Sequence, residues 1–219
     1  MGIEFVKGSS EYLSVDATLD PPWTGSIAMW LVMNAMSNND RPSGFDDAFE
    51  IRTSTSNIYN ELFKGGGGAL NTPISTGVLY HLIFTWDYDG SDVVNKIYKD
   101  GVLAAGPSTY GGTDPGTGTF KIGASRATAT GFVSAEMQDY RFYNRALADA
   151  DAETLYAARG TDVVLDGLLY WWLMNQGAPG TVVSGAGVVI DEMGNLNCSV
   201  GGGTPDWIVS DLAEIRRIA

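Results

Sequence analysis

The chain has 219 residues, with 13 Lys and Arg against 26 Asp and Glu, giving a formal net charge of −13. That balance excludes charge-driven binding to nucleic acid or an anionic membrane. The 28 glycines follow no triplet period and accompany 11% aromatic residues, which excludes both collagen and a disordered glycine-rich chain. One cysteine, Cys198, and one histidine, His81, exclude an internal disulfide and any centre built from several Cys or His.

The N-terminal run MGIEFVKGSSEYLSV lacks a basic segment followed by an apolar stretch, so no export signal is expected. The longest apolar runs, Ile27–Met33 and Leu168–Met174, have seven residues each, too few to span a bilayer. Ile3–Val6 and Tyr12–Val15 read as a hairpin around Lys7–Glu11. Ser26–Met33 and Val78–Trp86 read as buried strands because they are nearly continuous in apolar residues. Phe49–Thr53 and Asn57–Phe63 alternate around a Ser/Thr turn, and Gly65–Gly68 reads as a loop. Val93–Tyr98 and Val102–Ala105 are joined by Lys99-Asp100-Gly101, where Asp-Gly signals a tight turn. Phe120–Ile122 and Ser134–Tyr143 follow.

Asp149–Arg159 is the one predicted helix. Asp149 is available as N-cap, acids occupy the first turn, and Gly160 lies just beyond. The segment after it opens with LLYWWLM, becomes glycine-rich and loop-like, and offers Trp207–Val209 as a last strand. Short strands between glycine turns predict an all-β fold of two antiparallel sheets with one short helix. No linker separates residues 161–219 from the main body, residues 1–160. Fifty-odd residues of so little pattern would be marginal alone, so residues 1–219 read as one domain.

Candidate sites are few. Asp87 and Asp89 alternate ahead of a turn that ends at Asp92, as oxygen ligands to calcium could. The distal Glu of a calcium loop is missing, and a polar hairpin turn is the preferred reading. Trp23, in the Pro-Pro-Trp loop, is the leading candidate for stacking on a sugar. Trp86 is a second, although it falls in an apolar strand. No paired-carboxylate motif for glycoside hydrolysis is present, Glu136 and Asp139 being the nearest approach. His81 and Cys198 are formally a dyad with no sign of activation.

Phe120–Arg159, FKIGASRATATGFVSAEMQDYRFYNRALADADAETLYAAR, resembles the closing segment of laminin G-like domains of the concanavalin A-like superfamily. Upstream, YHLIFTWDYDGS, KIYKDGVL, SIAMWLVM and IEFVKGSSEYLSV resemble further strands of that family. The resemblance implies a jelly-roll β-sandwich that binds a glycan or protein, often with one calcium ion. It places Asp139 at a characteristic position, where the residue binds calcium or ties its strand to a neighbouring loop; the structural use is preferred. GLLYWWLMNQGAPGTVVSGAGVVIDEMGNLNCSVGGGTPDWIV resembles the family's opening segment, here at the end. This points to a circular permutation, with a truncated second copy as the alternative.

The permuted layout is similar to laminin G-like proteins of tailed phages. That similarity implies a non-enzymatic structural protein of the virion surface, a capsid decoration or tail component made in the host cytoplasm. It would pack on a major capsid or tail protein and could hold glycans; a trimer is a possible oligomer, one that would suit the threefold positions of a capsid. The competing reading is a stand-alone carbohydrate-binding module or lectin, with calcium as a possible cofactor.

Overall fold

The computed structural model describes residues 1–63, 70–126, 130–161 and 163–208. The Gly65–Gly68 loop and Val209 lie outside the described residues. In chain order the strands are β1 (Gly2–Phe5), β2 (Tyr12–Leu19), β3 (Gly25–Ala35), β4 (Ser43–Gly44), β5 (Phe49–Thr53) and β6 (Asn57–Leu62). They continue with β7 (Leu70–Pro73), β8 (Leu79–Tyr88), β9 (Asp92–Lys99), β10 (Val102–Gly111), β11 (Gly118–Ile122) and β12 (Ser134–Tyr143). After the helix α1 (Asp149–Ala158) come β13 (Leu168–Trp172), β14 (Cys198–Gly202) and β15 (Asp206–Ile208).

These strands form two antiparallel sheets packed as a jelly-roll sandwich. One runs β10-β9-β8-β3-β12-β1-β15, with β13 also paired to β12. The other runs β14-β2-β11-β4-β5-β6-β7. The expected hairpin between the first two strands is not formed. The 3-10 turn Lys7–Ser9 carries the chain across the sandwich, so β1 and β2 lie in opposite sheets. The Asp-Gly turn does form a hairpin, with Asp100 and Gly101 at φ 54° and 82°, the left-handed pair that a two-residue turn requires.

Alternation along each strand sends one set of side chains between the sheets. Ile27, Met29, Leu31 and Met33 of β3 meet Leu82, Phe84 and Trp86 of β8 and Phe49, Ile51 and Ile58 of the opposite sheet. Trp86 is fully buried, edge-on to Phe49 and Phe142, and its Nε1 donates to the Pro22 carbonyl at 2.8 Å. Its ring fits because residue 25 is glycine: a Cβ there would stand 2.3 Å from the Trp86 ring.

The C-terminal segment completes both sheets. β13 pairs with β12, β14 with β2, and β15 with β1. Its connecting loop is organised by Asp191, whose carboxylate accepts the backbone N–H groups of Trp171, Met193, Asn195 and Leu196 at 2.7–3.1 Å. The glycine-rich stretch read as loop therefore contains a strand, β14, at the edge of its sheet beside β2.

A second core lies outside the β3/β8/β12 sheet, under α1. It joins Ala28, Ile83, Tyr98, Tyr143, Leu147, Ala152, Leu155, Leu168 and Trp171. The helix start differs from expectation: Ala148 is the N-cap, and Asp151 reaches back to accept its N–H at 2.9 Å. Arg159 in the left-handed region closes the other end. His81 belongs to this layer, buried against the stacked rings of Trp30 and Tyr156. Cys198 lies in the inter-sheet core, on the other side of the sheet, so the Cys–His dyad is not assembled.

Burial, with the Arg141 charge nearby, lowers the His81 pKa to about 3, against about 6.5 in an unfolded chain. Between those values the unfolded chain binds a proton that the folded one does not, so stability falls as pH drops through that window. The histidine contribution should reach about 3 kcal/mol by pH 4. Denaturant unfolding at pH 7 and pH 4 measures it. The His81→Leu variant should lose less stability on acidification than the wild type, and equal losses would contradict the assignment.

Candidate functional site

Trp23 stands at one end of the sandwich, where the β2–β3 loop meets the β8–β9 hairpin. The register puts Gly25 opposite Trp86 and Tyr88 opposite Val93, so both connections emerge together. Trp23 is 41% exposed and is backed by two rings, Tyr88 at 4.6 Å and Phe63 at 5.2 Å. Thr24 fixes the loop, its hydroxyl donating to Asp87 Oδ1 at 3.1 Å and accepting the Tyr88 N–H at 3.2 Å. The Tyr88 hydroxyl donates to the Gly90 carbonyl at 2.8 Å. The result is a rigid exposed aromatic face beside two exposed carboxylates, Asp87 and Asp89.

Three of the five sequence-predicted residues, Trp23, Asp87 and Asp89, are thus neighbours. The other two lie elsewhere, in the structural settings that the sequence reading prefers for them. Trp86 lies in the inter-sheet core and reaches the site indirectly, through its bond to Pro22 and its stacking on Phe63. Asp139 is buried on the helix-side face of the β3/β8/β12 sheet, at a bulge in β12 with φ 53°. Its Oδ1 accepts Arg141 Nε at 2.9 Å and Trp171 Nε1 at 2.6 Å. The Arg141 guanidinium lies 4.4 Å from the centre of the Trp171 ring and donates onward to the carbonyls of Thr161 and Val163. A carboxylate so occupied, beside a fixed positive charge, does not suit a divalent cation.

Asp89 serves its own turn. Its carboxylate closes the turn by accepting the N–H groups of Ser91 and Asp92, each at 2.9 Å, and these bonds lower its pKa. Among the described residues no three His, Cys, Asp or Glu side chains gather as a metal site. The calcium expectation therefore finds no donor set at Asp87, Asp89 and Asp139.

The outer face of the β4/β5/β6 sheet carries a feature the sequence reading missed. Glu50 and Glu61 are Cα partners on adjacent strands, each 2% exposed. They lie in a cleft of about 320 Å³ among Arg41, Arg52 and Arg126. Arg41 Nε meets Glu50 Oε2 at 2.7 Å, Arg52 Nε meets Glu61 Oε1 at 2.7 Å, and Arg126 pairs with Asp47. Burial raises the Glu50 pKa despite the opposing pull of Arg41 and Arg126. Three guanidinium groups stand against three carboxylates, so the formal charges of this cleft cancel.

The fold is a two-sheet β-sandwich with an exposed aromatic side chain at one loop end. The laminin G-type family profile described as the concanavalin A-like lectin/glucanases superfamily matches residues 7–152, and the chain belongs to that superfamily. No curated protein sequence matches the chain. Among solved structures it is similar to a Bacteroides ovatus protein proposed to bind carbohydrate, with 17% identity and a TM-score of 0.67. That alignment covers 95% of this chain but spans only 60% of the Bacteroides structure. It is also similar to the native heptameric SAP-like pentraxin of Limulus polyphemus, with 12% identity and a TM-score of 0.59, over 91% of this chain and 94% of the pentraxin. At such identities the likeness is one of fold.

Proposed function

We propose that this chain is a non-enzymatic glycan-binding module that recognises sugars at the loop end of its sandwich. One observation carries the reading: Trp23 is left 41% exposed, backed by the tilted rings of Tyr88 and Phe63, instead of being folded into the core. A sugar presents an apolar C–H face to such a ring, while its hydroxyls can donate to neighbouring carboxylates such as Asp87. The resemblance to a protein proposed to bind carbohydrate supports the reading at the level of fold. The buried carboxylates of the opposite face are each matched to an arginine, which supports a binding role over hydrolysis.

A survey of immobilised glycans tests this directly. Saturable binding to a defined set of oligosaccharides is expected, together with a blank polysaccharide-release assay. Absence of binding to any glycan would defeat the proposal. Turnover abolished by Glu50→Gln or Glu136→Gln would overturn the non-enzymatic part.

The phage-like arrangement of the sequence extends the proposal to a virion surface. There the sandwich would pack on a major capsid or tail protein, as a trimer, with the platform facing outward. The terminal strand β10 favours this extension, because it exposes Val102 at 66% and Leu103 at 42% on a sheet edge, a surface suited to a protein partner. Copurification with assembled particles at fixed stoichiometry is the expected result; recovery solely as free protein would contradict it.

A further inference from the structure

Beside the arginine–glutamate cleft the same outer sheet face bears a second hollow, of about 390 Å³, lined by Phe45, Asp46, Thr117, Gly118, Thr119 and Lys121. Phe120 and Ile122 point into the core, so alternation turns Thr119 and Lys121 outward. Lys121 is nevertheless only 5% exposed. Lysine is almost never buried to this degree without a partner of opposite charge. Its Nζ donates to the Thr119 carbonyl at 3.2 Å, and among the described residues it has no ion-paired carboxylate.

The neighbouring charges explain why. Along this row of the sheet, Lys121 is followed by Gly44 and then Glu50. Gly44 contributes no side chain; its φ of 140° and a would-be Cβ 2.4 Å from the Phe49 carbonyl oxygen require glycine. Glu50 is held by Arg41. Asp46 spends Oδ1 on the N–H groups of Ala48 and Phe49. Burial without a counter-charge lowers the Lys121 pKa, so an arriving anion would stabilise the charged ammonium.

We propose that this hollow binds the carboxylate of an acidic sugar, with Lys121 as its counter-ion. The inference deepens the glycan-binding reading and rests on it. Thr117 and Thr119 offer hydroxyls for the sugar ring, and Asp46 can accept one of its hydroxyls. Phe45 borders the hollow, with its ring packed inward against Phe49 and over Gly118, where a Cβ would stand 2.5 Å from it. Gly118 is the Cα partner of Leu19, at the end of the strand that leads to the Trp23 loop. The hollow and the platform therefore border the same end of the sandwich.

The test is calorimetric titration with a trigalacturonate and with neutral galactotriose, using wild type, Lys121→Met and Trp23→Ala. Methionine keeps the apolar stem and removes the charge, so the melting temperature should not fall. The wild type should prefer the acidic trisaccharide by at least about tenfold, the scale of one charge-assisted hydrogen bond. Lys121→Met should abolish that preference while leaving neutral binding unchanged. Equal affinity for both sugars in wild type, or an undiminished preference in Lys121→Met, would overturn the inference and leave the platform reading intact. Acidic binding that is insensitive to Trp23→Ala, with none of the neutral sugar, would support the hollow and overturn the platform. Binding of neither sugar would overturn the inference.

Discussion

Replacing Asp139 with alanine is expected to destabilise the fold by about 3–5 kcal/mol, because it leaves the buried Arg141 charge without its counter-ion. The loss extends beyond one ion pair. Asp139 also accepts the Trp171 indole N–H, and Arg141 anchors the carbonyls of Thr161 and Val163. β12, β13 and the segment after α1 are thus tied at one point. The double variant Asp139→Ala/Arg141→Met should recover a large part of the loss, since the unpaired charge disappears with its partner. Denaturant unfolding with added calcium and with chelator separates the two roles weighed for this position. A structural tie predicts the same cost in both, whereas a cost that grows with calcium in the wild type would restore a metal-binding role.

Ending the chain at Gly160 should abolish cooperative folding. The removed segment places Trp172, Met174, Val183, Val189, Cys198 and Trp207 in the inter-sheet core. Full burial of each large apolar side chain is worth roughly 1.5–3 kcal/mol, so together they rival the 5–15 kcal/mol typical of a whole domain. The truncation also strips one partner strand each from β12, β2 and β1. The permutation inferred from the sequence has a reciprocal test. Ile208 and Gly2 are Cα partners in an antiparallel pair, the geometry a short hairpin loop closes. A chain that begins at Thr161, with residues 209–219 replaced by a short turn leading into Gly2, should fold cooperatively. Cooperative unfolding of the truncated chain, or failure of the rearranged one, would contradict the single-domain reading.

The strands that carry strong local signals were legible in the sequence. Ser134–Tyr143 has the predicted bounds, and Asp100-Gly101 makes the predicted turn. Features set by distant partners were not. Nothing local shows that Lys7–Ser9 sends β2 to the other sheet, or that the glycine-rich Cys198–Gly202 is a strand, because β14 exists only by pairing with β2. Simple alternation fails at Asp139, where the bulge shifts the faces of β12.

The candidate site divides the same way. Trp23 sits among prolines outside any apolar run, and its exposure was legible. The apolar surroundings of Trp86 signalled the core where the structure places it. Lys121, between Phe120 and Ile122, reads as an ordinary solvated lysine on the outer face. It shares its hollow with Phe45 and Asp46, which are distant in sequence. Glu50 and Glu61 become a pair only through the register of β5 and β6.

Glycan binding through the exposed platform is tested most directly by titrating wild type and Trp23→Ala with the best ligand from the glycan survey. Trp23 bridges few buried groups, so the variant should keep its melting temperature within a few degrees. Loss of an aromatic anchor at the centre of a contact typically costs 2 kcal/mol or more, so affinity should fall by about thirtyfold or more. Unchanged affinity in a folded Trp23→Ala protein would contradict the account.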